Sequence, residues 1–384
     1  MNIKYLYVVP RMKFFSEGYR GRVMHALGVA EGISKDNIKS KVFLLGGSDL
    51  SKYFNDVPSN TELIEITEGP GLLGYFKWQI AIYKEAKRRM LSGDINHLII
   101  RYNISSFVSI FLLSLISKKI TKTIEVNYFA FQAYFNNNYI INMVIAYLER
   151  LLVNKFSLLY VVSDKAATDT RIEKVKAKII SIPNGVTSNP IIFNAKKKKE
   201  NNKIRLLYLG TLMYYWDWEP IIKAFNNSND LYELHFYGDG PKFEYLKNSF
   251  KQNQVVKFHG QFSRNNLGSI LDENYDILFL PPKTLKDMKN TGGLSTKAFD
   301  YLSMKLPIIV PSDGELLNVY GHRRNCLFYD RNKPDEINRA VQQISHDPDL
   351  RKNLSKNAYL DFSNNYSWES RMKTLINSIN SINK

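Results

Sequence analysis

Short apolar runs alternate along the chain with longer stretches in which apolar positions recur three or four residues apart. That alternation predicts a parallel sheet with crossover helices, repeated twice. In the first half the expected strands are Tyr5–Val9, Val42–Leu45, Leu63–Ile66, Leu98–Arg101, Thr123–Val126, Leu158–Val162 and Ile179–Ile182. The second half offers Arg205–Leu209, Glu233–Tyr237, Val256–His259, Ile277–Leu280, Pro307–Val310 and Leu327–Tyr329. The segment Ile104–Ile116 is apolar but interrupted by serines, and is too short for the ~20 residues a membrane span needs, so it is expected as a buried helix covering a sheet. Helical spacing returns at Met372, Leu375, Ile376 and Ile379, placing a helix near the end.

Length sharpens this picture, since 384 residues exceed one ordinary core and divide naturally into two domains. The boundaries read as 1–186, a basic linker over 187–203 carrying Lys196 to Lys199, a second domain over 204–365 and a terminal helical segment over 366–384. A single cysteine, Cys326, excludes an intramolecular disulfide, and the start of the sequence lacks the apolar stretch of a signal peptide. A cytoplasmic location is expected. The formal charge of +17 attracts anions of every kind. No arginine-rich helix, zinc spacing or aromatic RNA-binding signature accompanies it, so phosphorylated small molecules and an anionic membrane surface are the expected partners rather than nucleic acid. The six histidines show no paired metal spacing, and no Ser-His-Asp or Cys-His set is apparent, so no metal or other cofactor is expected.

Candidate chemistry concentrates between Thr291 and Val310. Gly292 and Gly293 permit unusual backbone, Leu294 follows, and Ser295 and Thr296 are good N-caps for a helix carrying Lys297. Backbone N–H groups and an ammonium there would face an anion, and Asp300, three residues on, could accept hydrogen bonds from neighbouring hydroxyls of a ribose. Open parallel sheets bind ligands beyond the carboxyl ends of their strands. By that rule Gly18, Arg20, Gly21 and Arg22 after the first strand could approach a diphosphate, and Arg101, Glu125 and Asn127 at two other strand ends could meet a sugar hydroxyl. Ordinary turns and satisfied buried carboxylates explain those positions nearly as well. The aromatics Tyr214, Tyr215, Trp216 and Trp218 could stack on a sugar or simply pack.

The run Ser295-Thr-Lys-Ala-Phe-Asp-Tyr-Leu-Ser-Met-Lys-Leu-Pro-Ile-Ile-Val310 resembles the nucleotide-sugar signature of family-four (group 1) glycosyltransferases. Ile182-Pro-Asn-Gly-Val186, Leu209-Gly-Thr-Leu212, Gly238-Asp-Gly-Pro241 and Tyr366-Ser-Trp-Glu369 fall in the family's order. The resemblance implies the GT-B fold, two Rossmann-like domains with parallel sheets facing across a cleft. It further implies retaining transfer from a nucleotide diphosphate sugar to a hydroxyl of a lipid-linked or growing surface polysaccharide. Lys297 and an arginine of the Gly18 loop would then grip the diphosphate, Gly210 and Thr211 would line the donor site, and Asp300 would hold ribose. The family's usual arginine and lysine are replaced by Thr211 and Trp216, and its first glutamate by Gly292. A non-catalytic binding subunit of the same fold is the rival that this loss raises, and a basic nucleic-acid binder is third. The basic, aromatic segment Gly71–Arg89 could rest on the inner membrane face, although a core helix with a basic outer side fits it as well.

Overall fold

Two parallel sheets organise the chain in the computed structural model, which describes residues 4–9, 20–36, 41–47, 60–67, 69–93, 95–103, 106–116, 120–127, 129, 139–162, 164–168, 175–186, 203–226, 232–262, 266–291 and 294–382. The chain divides into two units, Met1–Thr187 with Ser367–Lys384, and Ser188–Tyr366.

In the first unit β1 (Lys4–Val9), β2 (Lys41–Gly47), β3 (Thr61–Ile66), β4 (His97–Arg101), β5 (Thr121–Val126), β6 (Leu158–Val161) and β7 (Lys178–Ser181) form one sheet in the order β3-β2-β1-β4-β5-β6-β7. Every neighbouring pair is parallel. Its helices are α1 (Arg20–Asp36), α2 (Gly71–Leu91), α3 (Phe107–Ser114), α4 (Tyr139–Val153) and α5 (Asp164–Ala167), joined by a segment from the far end of the sequence. Side chains of β1 alternate strictly between the two faces: Leu6 and Val8 join a core with α2, α3 and α4, whereas Tyr5, Tyr7 and Val9 join another with α1 and the returning segment. Both faces are buried in the middle of the sheet, which is why its central strands read as largely apolar runs, while the edge strands β3 and β7 are more open.

In the second unit β8 (Ile204–Leu209), β9 (Tyr232–Tyr237), β10 (Val256–Gly260), β11 (Ile277–Phe279), β12 (Ile308–Pro311) and β13 (Leu327–Tyr329) are ordered β10-β9-β8-β11-β12-β13, again all parallel. The helices are α6 (Glu219–Asn226), α7 (Phe243–Ser249), α8 (Leu267–Leu271), α9 (Leu285–Thr291), α10 (Thr296–Leu302), α11 (Asp335–His346) and α12 (Pro348–Asp361). The start of α12 shows the local logic plainly, with Pro348 in its first turn and Asp347 capping the Leu350 amide at 2.8 Å. After it, α13 (Trp368–Ile382) belongs to the first unit, where Met372, Leu375, Ile376 and Ile379 are buried.

Every expected strand is present, with ends shifted by a residue or two. The Gly238–Pro241 motif closes as a turn, the Phe243 amide donating to Gly240 O, and α7 starts at Phe243. Gly21 stands inside a helix rather than in a turn, since α1 already begins at Arg20. Gly18, Gly292, Gly293 and the linker over 187–202 lie outside the described residues, as do the side chains of Arg20 and Arg22.

Candidate functional site

In each unit the strand order places β1 and β4, or β8 and β11, side by side where the sheet's winding reverses, and the candidate groups gather at the carboxyl ends of these strands and of their neighbours β5 and β9.

The second unit is built around a close approach. Gly210, just past β8, has φ +135°, and a Cβ there would stand 1.8 Å from Lys297 Nζ. Gly238, just past β9, has φ +146°, and its Cβ would lie 2.0 Å from Gly210 O. Glycine at both positions therefore lets the two loops interlock and admits the lysine over the backbone. The turn is tied by Leu212 N donating to Asp239 O at 2.9 Å and Gly210 N to Tyr237 O at 2.8 Å. Helix α10 is anchored to β8 by Tyr301, whose hydroxyl accepts from Leu209 N at 3.0 Å, and is held from elsewhere in the unit by Tyr320, whose hydroxyl donates to Ala298 O.

Lys297 in α10 is half-buried, its ammonium 5.1 Å from the Tyr208 ring centre and 5.9 Å from that of Trp216. Burial draws it down to about 8, against the pull of Asp300 and helped by repulsion from Lys283. It therefore remains mostly protonated at neutral pH while holding an under-compensated charge. Ser295 occupies the N-cap position with extended backbone (φ −129°, ψ 156°) but makes no side-chain cap. Its Oγ is buried and meets no hydrogen-bond partner among the described residues. Thr296, expected as an alternative cap, is instead the first helical residue and exposed; Leu294 and Asp300 are half-buried. The helix is short, so Lys297 supplies most of the positive potential.

The aromatic cluster divides. Trp216 and Trp218 are buried, Tyr215 is half-buried, and Tyr214 alone is exposed. Trp216 stands where the family pattern has its lysine, yet a cation has moved alongside: Lys283, following β11, has its ammonium 4.8 Å from the Trp216 ring centre and 3.9 Å from that of Tyr215. Lys283 also pairs with Asp287 at 2.8 Å, and Arg331 donates to the Lys283 carbonyl and to Asp313. Sequence reasoning missed Lys283, although its place directly after a strand and a Pro-Pro pair was the available signal. Thr211 is exposed, its carbonyl accepting from the Tyr208 hydroxyl.

In the first unit Arg101, Glu125 and Asn127 do converge, but around a fully buried Glu125. The Tyr7 hydroxyl donates to Glu125 Oε2 at 2.6 Å, His25 Nε2 lies 2.7 Å from Oε1, and Arg101 Nε lies 3.4 Å from it. With its amide oriented to suit its neighbours, Asn127 donates to Glu125 Oε1 at 3.2 Å and accepts from Arg101. Asn184 Oδ1 meets His25 Nδ1 at 2.7 Å, and Trp368 closes the far side, edge-on to His25. Burial would raise the Glu125 carboxyl, but His25, Arg101 and the Tyr7 hydrogen bond overcome it and hold the group at about 2. The carboxylate thus positions Arg101, His25 and Tyr7 instead of reaching for a sugar. Tyr7 and His25 were not anticipated. Among the described residues no group of three or more His, Cys, Asp or Glu is placed to hold a metal ion.

Two Rossmann-like units with all-parallel sheets are the GT-B fold. Residues 191–361, within the second unit, match the family described as glycosyl transferases group 1. An uncharacterized glycosyltransferase of Methanocaldococcus jannaschii is 23% identical over 199 residues, 51% of this chain and 52% of that protein, so the chain spans about half the length of this curated relative. Among solved structures, Anabaena Alr3699/HepE in complex with UDP superposes with a TM-score of 0.69 at 14% identity, covering 99% of this chain and 100% of that one. The same protein is known with UDP-glucose. The lipopolysaccharide outer core galactosyltransferase WaaB gives a TM-score of 0.61 at 13% identity over 98% and 99% of the two chains.

Proposed function

We propose that this protein transfers a glycosyl unit from a nucleotide diphosphate sugar to a hydroxyl of a lipid-linked or growing surface polysaccharide, with retention at the anomeric carbon. The observation that carries this reading is Lys297, an ammonium seated over the Gly210 backbone at a strand end, with an unsatisfied Ser295 hydroxyl at the start of the same helix. The family match and the UDP complexes of the Anabaena protein support a UDP-type donor.

In this arrangement Lys297 neutralises charge on the diphosphate and Ser295 Oγ donates to one of its oxygens. Asp300, one helical turn further, accepts from the ribose hydroxyls. As the bond from the anomeric carbon to the leaving phosphate lengthens, negative charge grows on that phosphate, and a preorganised ammonium stabilises it more than it stabilises the bound donor. The departing phosphate oxygen takes the proton of the acceptor hydroxyl on the same face, so no protein base is required. The Lys283 ammonium beside Trp216 adds positive potential where the family's usual lysine is missing. Arg101 and Asn127, fixed by Glu125, are the acceptor-side candidates, and the Gly18 and Gly292 loops with Arg20 and Arg22 remain donor-side candidates.

The test is thermal melting with UDP, GDP, dTDP and CMP, followed by transfer assays with the matching sugar. A nucleotide at about 100 times its dissociation constant stabilises by ~2.7 kcal/mol. Protection by one nucleotide diphosphate, with release of that nucleotide on adding acceptor, is expected. Protection without any turnover assigns the chain to nucleotide-sugar binding alone, and no protection by any of the four overturns the reading.

A further inference from the structure

Helix α4 is built inside out. Glu149 turns inward, where it accepts a hydrogen bond from the Tyr102 hydroxyl, while Leu152 and Val153 pack in the core beneath. Outward along one helical stripe stand Ile140, Val144, Tyr147, Leu148 and Leu151, exposed at 74, 54, 52, 47 and 45%. A water-facing helix places its polar residues on that stripe. The neighbouring helices on the same side of the sheet continue the pattern: Leu72, Leu73 and Phe76 of α2 and Phe111 of α3 are exposed. Among the described residues, fourteen of the nineteen exposed large apolar side chains lie on or directly after these three helices, and none on the described part of α1 or on α13, which cover the sheet's other side. Exposed apolar side chains gathered on one side of the sheet in this way mark a binding surface rather than scatter.

Charge identifies what binds. Lys77, Lys84, Lys87 and Arg88 on α2 are exposed, and Lys155, just past α4, lies with its ammonium 5.9 Å from the Phe111 ring centre. Of the carboxylates on these helices, Glu85 is tied to Arg88 and Arg89 and Glu149 is buried. The surface is thus apolar with cations at its margin, and no described helix is long and apolar enough to cross a bilayer.

We propose that α2, α3 and α4 form a face that seats the first unit on an anionic lipid surface, the outer stripe of α4 entering the headgroup boundary and the lysines meeting lipid phosphates. This rests on the reading that the acceptor is lipid-linked, and it assigns the contact chiefly to α4 rather than to Gly71–Arg89 alone.

The experiment is co-sedimentation of the full chain with phosphatidylcholine vesicles, with and without phosphatidylglycerol, alongside calorimetric UDP binding and sedimentation velocity without lipid. Parent protein pellets with the anionic vesicles and is released as salt rises. The pair Val144→Glu and Leu148→Glu lowers vesicle binding by about tenfold or more, while UDP affinity stays within about twofold. Val144→Ser with Leu148→Ser, which adds no charge, lowers vesicle binding less, and decides the matter if the glutamate pair does not fold. The proposal is overturned if the parent ignores anionic vesicles or if the folded variants bind them as well as the parent does. It is also overturned if the parent is a lipid-independent dimer that the variants dissociate, which gives the face to a second copy. Vesicle binding by a chain without UDP affinity supports the face and sinks only the donor reading.

Discussion

A buried carboxylate in the first unit and a half-buried lysine in the second both stand at the carboxyl ends of parallel strands, yet their surroundings treat them in opposite ways. Glu125 is met by His25, Arg101, Tyr7 and Asn127, and these partners more than offset its loss of water, leaving it ionised down to about 2. Lys297 receives two aromatic rings, the attraction of Asp300 and the repulsion of Lys283, and burial wins, drawing it to about 8. A charge whose partners are all supplied by the protein holds structure together. One left under-compensated beside a hydroxyl with no hydrogen-bond partner among the described residues leaves room for a partner from solution, the place that the proposed function gives to a diphosphate.

The contrast breaks most visibly at Glu125. Removing one member of a buried charged cluster strands the others, at a cost of about 3 to 5 kcal/mol. Glu125→Gln should therefore lower the melting temperature by many degrees. The folded carboxyl titrates below the ordinary unfolded value, so its contribution is present above about pH 4.3 and is lost as pH falls toward 2. Parent stability should drop over that window more steeply than that of Glu125→Gln, as followed by circular dichroism. Equal acid limbs would show that ionisation of Glu125 contributes nothing to stability.

At Lys297 the cost should fall on function. Lys297→Ala is expected to reduce transfer with a saturating donor by about 2 to 4 kcal/mol of transition-state stabilisation, more than it weakens donor binding. Lys297→Arg should recover only part, since a planar fork cannot occupy the space over Gly210 as a compact ammonium does. Transfer rates within about twofold of the parent for Lys297→Ala would move the assignment to Arg20 and Arg22.

The sequence carried these two sites unequally, for a physical reason. Ser295, Lys297 and Asp300 lie on one short helix, so local spacing was enough to group them. Glu125 depends on Tyr7 and His25, 118 and 100 residues away, which only strand order brings together. Lys283 was findable by the rule that strand ends bear ligand groups, but its approach to Trp216 is a tertiary fact. The central strands were legible because both faces are buried and each reads as a largely apolar run. That same rule concealed α4, whose apolar outer stripe reads in sequence like a helix buried all round.

A smaller functional effect is expected at Asp300. Asp300→Ala should weaken nucleotide binding by roughly 1 to 3 kcal/mol, the range for a hydrogen bond to a charged group. The loss should shrink for a 2′,3′-dideoxy nucleotide, because the hydroxyls it is expected to hold are then absent. An equal loss with both nucleotides, by calorimetry, would assign Asp300 to tuning Lys297 instead of holding ribose.

The smallest effect runs opposite to the usual lysine. Lys297 titrates in the folded protein at about 8, below the ~10.4 of an unfolded lysine. Between those values the unfolded chain binds more protons, so the sign of the linkage makes stability rise with pH across that window. Below about 8 the charged side chain weakens the fold to its full extent. Lys297→Met keeps the length of the side chain and discards the charge, and should raise the melting temperature at pH 7 by roughly 2 to 4 °C, a modest figure because the group is only half-buried. The gap between parent and variant should narrow as pH climbs toward 10. It should also narrow at pH 7 when UDP is added, because only the parent gains the compensating anion. A variant less stable than the parent at neutral pH would mean that Lys297 is already satisfied within the protein, and the contrast with Glu125 would fail.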